Sequence, residues 1–160
     1  MNGLLERVLL PYKQDCSYLR SAEITVESGL ATGRGRFEIP QSCYIEDTGH
    51  FNSVEFNICY NQLVYYVMAS AVRDRLMPAF TSWTLQDYWD RQLPNILITS
   101  LSSKFKRPID PRSFSGEVGF TRITQRSLLI AETACRFWDD NGGQASGEIT
   151  LAILNPPQGG

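Results

Sequence analysis

The sequence is short of histidine, of paired cysteines and of any strong excess of charge, and each shortage removes a class of function. One histidine in 160 residues makes a poor start for a metal site, and the four cysteines, at 16, 43, 59 and 135, include no C-x-x-C pair. No metal is therefore expected. The same scatter argues for reduced thiols, so all four cysteines are expected as small core or strand residues. A net charge of -2 and a pI near 5.4 give no overall attraction to nucleic acid or to an anionic membrane. No apolar run has the length of a bilayer span, and Met1 to Leu10 carries Glu6 and Arg7 inside its short apolar segment, unlike a signal peptide. The expected location is the cytoplasm. Gly33-Arg34-Gly35 lacks the third glycine of a dinucleotide loop, and neither a P-loop nor a G-x-S-x-G elbow occurs.

What is present centres on one stretch. A polar loop, Asp47-Thr48-Gly49-His50, carries the only histidine and opens into a long apolar segment that reaches Met77. Asn52 with Glu55 forms a capping box, and Phe51 with Phe56 a hydrophobic staple. Nothing breaks the helical pattern before Pro78, so residues 53–77 are expected to form a rod of about 36 Å at roughly 1.5 Å per residue. A helix apolar on nearly all sides needs a wrapping.

The remaining segments supply it. Residues 2–10 place Leu4, Leu5, Val8 and Leu9 on one helical face, with Pro11 as the stop. Arg20 to Glu27 alternates as a half-buried strand, Gly29, Gly33 and Gly35 mark a turn, and Arg34 to Ile39 returns. Thr84 to Leu93 reads as a short helix with a Thr84–Asp87 capping box. Four strands follow, at Ile96–Lys106, Ser115–Thr124, Leu128–Trp138 and Ala145–Leu154, the last pair joined by the hairpin signal Asp139-Asp140-Asn141-Gly142-Gly143. One domain over residues 1–155 with a tail at 156–160 is expected, of α+β class, with an antiparallel sheet wrapped around one long central helix in the hot-dog manner.

The run from Gly49 to Tyr66, Gly-His-Phe-Asn-Ser-Val-Glu-Phe-Asn-Ile-Cys-Tyr-Asn-Gln-Leu-Val-Tyr-Tyr, resembles the FcoT-like family of hot-dog proteins, and the similarity extends from about Leu4 to Leu154. The resemblance implies an enzyme of acyl thioesters. One implied activity adds glycine to the β-carbon of a (2E)-enoyl chain on an acyl carrier protein, giving a 3-(carboxymethylamino)acyl product of isonitrile lipopeptide biosynthesis. The other is hydrolysis of long-chain fatty acyl-CoA. In both, the substrate rides on phosphopantetheine, and no bound cofactor is implied. The family also implies a homo-oligomer. A non-catalytic acyl-binding module is a reading of a different class.

Against that chemistry, His50 is the candidate base, because imidazole is the side chain whose ordinary pKa lies near neutrality. It would deprotonate either the glycine ammonium or a water. Asn52 caps the helix, whose start favours the negative charge that a thioester oxygen gains in either reaction. Asn57, Asn61 and Tyr65 recur every four residues and form one polar stripe on the apolar helix, marking the face that meets substrate or a neighbouring subunit. The resemblance matches Tyr44, Asn52 and Asn61 to acyl-binding and catalytic positions, and Tyr12 to a further binding position. Lys104, Lys106 and Arg107, with Arg112, gather around Pro108 and Pro111 and would meet coenzyme A phosphates or the acidic face of a carrier protein. For the carboxylate of glycine, Arg20, Arg34, Arg36, Arg73 and Arg75 stand open as partners.

Overall fold

The computed structural model describes residues 3–158. The expected helix start at Asn2 and the terminal glycines 159 and 160 lie outside the described residues. In chain order the elements are α1 (Gly3–Leu9), β1 (Leu19–Glu27), β2 (Leu30–Phe37), α2 (Ser53–Asp74), α3 (Leu85–Arg91), β3 (Ile96–Arg107), β4 (Phe114–Gln125), β5 (Leu129–Trp138) and β6 (Gln144–Ile153). All six strands pair antiparallel in one sheet, in the order β1-β2-β4-β5-β6-β3. The α+β architecture with a long central helix is thus as expected, and β1 and β3 are its edges. No helix among the described residues is long and apolar enough to cross a membrane.

Helix α2 starts as its sequence dictates. Asn52 accepts from the backbone N–H groups of Val54 and Glu55, Glu55 reaches back to the Asn52 N–H, and the rings of Phe51 and Phe56 meet at 6.1 Å. The helix ends at Asp74, three residues short of the expected Met77. Arg75 takes the left-handed conformation at φ 55°, and Leu76 N–H closes onto Ala71 O at 3.0 Å, a Schellman stop. Pro78 restricts Met77 but does not by itself end the helix at Asp74. Leaving the helix early instead lets Met77 turn back into the core, where it is fully buried.

The sheet covers α2 on one side, and α1 and α3 cover it on the other. The turn between β1 and β2 is at Ser28-Gly29 alone, so Gly33 and Gly35, expected in the turn, lie inside β2. Their reason is proximity: a Cβ on Gly33 would stand 2.5 Å from Val67 Cγ2 on α2. The helix therefore approaches the sheet more closely than any side chain at 33 permits. Below its first turn, Phe51, Phe56, Phe114 and Phe137 pack as an aromatic knot, Phe51 lying 4.7 Å from Phe114 and 5.2 Å from Phe137. Gln62, fully buried, is matched on both ends of its amide: it accepts from the Tyr18 and Leu19 N–H groups and donates to Cys16 O. Thr133 spends its proton on Ile149 O, so the Tyr60 hydroxyl is the donor in their 2.6 Å contact.

The cysteines depart from expectation. Cys59 and Cys135 are buried free thiols, but Cys16 and Cys43 form a disulfide, their Cα atoms 5.4 Å apart. Short-range spacing could not reveal this pair, because the β1–β2 hairpin returns the chain and brings together positions 27 residues apart. The bridge ties the segment before β1 to the loop that leads to α2.

Two expectations follow. Burial raises the Cys59 thiol well above its ordinary pKa and pushes Cys135 up to about 12, so neither forms a reactive thiolate near pH 8. Air-oxidised native protein should not react with a thiol reagent there; unfolding should release two thiols, and unfolding with reduction four. Four without reduction would mean that the bridge is open. Gly33→Ala should cost about 1–3 kcal/mol in chemical denaturation through overpacking. Val67→Ala in the same chain should recover part of it, and additive losses would contradict the close contact.

Candidate active site

The loop before α2 is held from three directions. Asp47 Oδ1 accepts from the Gly49 N–H at 3.0 Å, while its other oxygen pairs with the Arg112 guanidinium. Gly49 sits at φ +80°, a backbone conformation that strains other residues and lets the chain reverse. Phe51 N–H donates to Ile109 O at 3.0 Å, and its ring is buried in the aromatic knot. Because Phe51 points inward, its neighbour His50 is left exposed on the rim.

His50, Phe51, Asn52 and Ser53 form one wall of a cleft of about 380 Å³; Phe105, Lys106, Arg107 and Pro108, at the end of β3, form the other. The fold therefore brings His50, Asn52, Lys106 and Arg107 together from two separate segments. Tyr44 joins them indirectly, its hydroxyl donating to Asn52 Oδ1 at 2.8 Å. That oxygen also caps Val54 and Glu55, so it holds three donors and has no capacity left for substrate.

The helix start is consequently less open than its sequence suggests. Val54 and Glu55 N–H groups are spent on Asn52, and Phe56 N–H on Asn52 O. Ser53 N–H has no acceptor among the described residues, and Asn52 Nδ2 makes only a 3.4 Å contact with Thr48 Oγ1. The donors available to an anion in the cleft are thus Ser53 N–H, the Ser53 hydroxyl and the Asn52 amide. Sequence reasoning passed over Ser53, although the capping box itself identifies it as the first helical residue, whose N–H is always left over. With Lys106 and Arg107 opposite and the positive end of α2 beside them, the cleft suits a carboxylate or a developing enolate.

Four of the other candidates lie away from this cleft. Ser53, Asn57, Asn61 and Tyr65 follow one another at single-turn intervals, so the polar stripe begins at the cleft and runs about 18 Å down α2 at 1.5 Å per residue. Asn61 Nδ2 meets Asn57 Oδ1 at 3.4 Å, and both amides stay half-buried. At the far end, Tyr88 donates to Tyr65 O, and burial foremost, reinforced by Tyr65, raises the Tyr12 phenol far above its ordinary value. Burial raises Tyr65 too. Both phenols are neutral hydrogen-bonding groups rather than acids in any working range.

The cations separate clearly. None of the five arginines left open for a carboxylate lines the cleft. Arg20 pairs with Glu38, Arg73 with Asp74 at the opposite end of α2, and Arg75 caps that end. Arg34 and Arg36 each follow by one residue a glycine on the inner face, Gly33 against α2 and Gly35 against Leu19 and Phe37, and therefore point from the other side of the sheet. Lys104 shares that outer side. Arg107, with Lys106, is the guanidinium that the cleft holds. Among the described residues, no three His, Cys, Asp or Glu side chains converge as metal ligands.

Several known proteins share this framework. A (2E)-enoyl-ACP glycyltransferase of Streptomyces coeruleorubidus, ACP being acyl carrier protein, is 53% identical over 161 residues, spanning 97% of this chain and 98% of that one. Its namesake from Mycobacterium marinum is 42% identical, spanning 96% and 86%. Among solved structures, a mutant thioesterase from Pseudomonas aeruginosa superposes with a TM-score of 0.56 at 14% identity, covering 94% of this chain and 93% of that one, which speaks to the fold. Residues 7–153 match the FcoT-like thioesterase domain. With that match over most of its length, on a six-stranded antiparallel sheet and one long helix, the chain belongs to the FcoT-like thioesterase family of hot-dog proteins.

Proposed function

We propose that this protein is a (2E)-enoyl-ACP glycyltransferase that forms a C–N bond by conjugate addition. The observation that carries the reading is the pairing of His50 with Arg107 in one cleft beside the start of α2, in a chain whose relatives bear that name. Hydrolysis needs a base and an oxyanion site but no cation for a second substrate's carboxylate. Glycine needs one, and a planar guanidinium suits a carboxylate.

In this mechanism the glycine carboxylate rests on Arg107, with Lys106 beside it. Neutral His50 takes a proton from the glycine ammonium. The freed amine attacks the β-carbon of the enoyl chain, a C–N bond forms, and the π electrons move through the α-carbon onto the thioester oxygen. Ser53 N–H and Asn52 Nδ2 hold that enolate. The imidazolium returns a proton to the α-carbon, leaving a 3-(carboxymethylamino)acyl thioester with every atom accounted for. Tyr44 acts as a positioning residue, orienting Asn52 through their hydrogen bond. The acyl chain follows the stripe of Asn57, Asn61 and Tyr65 toward Tyr12, and the phosphopantetheine arm passes Lys106.

The same reading requires a homodimer. Edge strand β3 offers an unpaired backbone, and Ile98, Leu101 and Phe105 on its helix-facing side are each about two-fifths exposed. An edge strand of 12 residues with these apolar side chains left open suits association with a second copy. A second copy there would roof the half-buried stripe of α2.

Incubation with enoyl-loaded carrier protein and isotopically labelled glycine should add the mass of glycine to the carrier; free thiol release unaffected by glycine would support the thioesterase instead. His50→Ala should lower kcat by about 10²–10⁴-fold. Arg107→Ala should raise the KM for glycine about tenfold, and an unchanged value would remove Arg107 from the site. Ile98→Glu with Leu101→Glu should shift the protein to monomer in sedimentation, whereas an intact dimer would place the interface elsewhere.

A further inference from the structure

The outer face of the sheet carries two rows of side chains, of which only Arg107 has a place in the proposed reaction. Directly opposed residues of an antiparallel ladder share a face. One row is Lys104 (β3), Ser146 (β6), Arg136 (β5), Glu117 (β4) and Arg34 (β2). The next row, toward the cleft, is Arg107, Gln144, Trp138, Ser115 and Arg36. Gly33 and Gly116 on these strands face the core, where a Cβ would meet Val67 or Phe137, so the alternate residues face outward.

The charge on this strip is mainly positive: Glu117 stands among five cations, and Glu23 of β1 faces Arg34 across the next step of the ladder. Arg136 binds Glu117 at 2.6 Å. Among the described residues, no carboxylate lies within salt-bridge distance of Arg34, Arg36, Lys104, Lys106 or Arg107; the Arg36 fork is occupied by the hydroxyls of Ser115 and Ser113. Elsewhere in this net-negative chain Arg20, Arg73, Arg91, Arg112 and Arg122 pair with acids, while Arg7, Lys13, Arg75 and Arg126 make no such pair among the described residues. Cations gathered without neutralisation repel one another and favour an anionic partner.

The dimensions select the kind of anion. From β3 to β2 are four inter-strand steps, about 19 Å at roughly 4.8 Å each. That is the length of a helix of about 13 residues, and far more than one pair of phosphates spans. The centre of the strip is Trp138, and its ring is already covered by guanidiniums, Arg136 at 4.5 Å and Arg34 at 5.4 Å. A nucleobase would find those stacking positions taken. Lys106 connects the strip to the reaction, since it lines both the His50 cleft and a shallow outer hollow of about 360 Å³ with Arg136, Trp138 and Gly142.

We propose that this outer strip, Lys104, Arg136, Arg34, Arg36 and Arg107 around Trp138, is the docking surface for an acidic helix of the acyl carrier protein. The proposal rests on the activity argued above and deepens it by giving the carrier a seat. A carrier seated there delivers its phosphopantetheine arm around the end of β3, past Lys106, to His50. Arg34, Arg36 and Arg136 thereby become recognition residues that never touch the reacting atoms.

The test compares wild type with Arg34→Glu/Arg136→Glu and with Arg34→Glu/Lys104→Glu, each checked for its melting temperature. Affinity for the enoyl-loaded carrier protein should fall about tenfold or more in both variants, and the wild-type affinity should weaken with added salt more steeply than theirs. Turnover of enoyl-pantetheine with glycine, which dispenses with the carrier protein, reads the cleft alone and should follow wild type. Carrier affinity at the wild-type level in both variants would overturn the surface, as would an equal loss on enoyl-pantetheine. Displacement of the carrier by adenosine 3′,5′-bisphosphate, the part of coenzyme A without the arm, would also overturn it, reassigning the strip to a nucleotide. Wild type that binds carrier through the strip yet never adds glycine would retire the glycyltransferase reading and leave the surface standing.

Discussion

One carboxamide oxygen organises the centre of this molecule. Asn52 Oδ1 accepts hydrogen bonds from Val54 and Glu55 at the first turn of α2 and from the Tyr44 hydroxyl in the loop before it. It therefore fixes where the buried helix begins, how the loop meets it, and which amides remain free. The two helical donors it satisfies are unavailable to substrate, so in the proposed mechanism polarisation of a thioester falls to Ser53 N–H and to the other end of the same carboxamide. Loss of a cap of this kind costs about 1 kcal/mol of stability; its larger consequence here would be a displaced cleft.

The close approach of α2 to the sheet at Gly33 sets the depth at which that cleft sits. Phe51 is locked in the aromatic knot, His50 is thrown outward by the same backbone, and the Asp47–Arg112 pair holds the loop from the opposite side. Charge then divides by face. Lys106 and Arg107 stand at the end of β3, between the cleft on one side of the sheet and the cationic strip on the other. The stripe from Ser53 to Tyr65 is polar yet only half-buried, which suits a surface completed by an acyl chain and a second subunit.

Much of this was legible in the sequence because it is written locally. Both capping boxes, the Phe51–Phe56 staple and six strand segments follow from spacings of a few residues. His50, Asn52, Lys106 and Arg107 were also legible as candidates, but their convergence is a property of β3 crossing to the far edge beside β6. What stayed hidden is non-local. The Cys16–Cys43 pair depends on the return of a hairpin, Gly33 on Val67 of a helix more than 30 residues later, and the outward row of arginines on register across five strands. The helix end was missed for a different reason: Pro78 is a conspicuous signal, whereas the left-handed stop at Arg75 is imposed by the burial of Met77.

In the proposed reaction the thioester is activated at the first turn of α2. A crystal structure with an enoyl-pantetheine analogue whose sulfur is replaced by a nitrogen or methylene would test it most directly. The acyl oxygen is expected about 3 Å from Ser53 N and within reach of Asn52 Nδ2, the β-carbon beside His50, and the acyl chain along Asn57 and Asn61. An acyl oxygen bound away from Ser53, with the chain leaving over the outer face of the sheet, would contradict it.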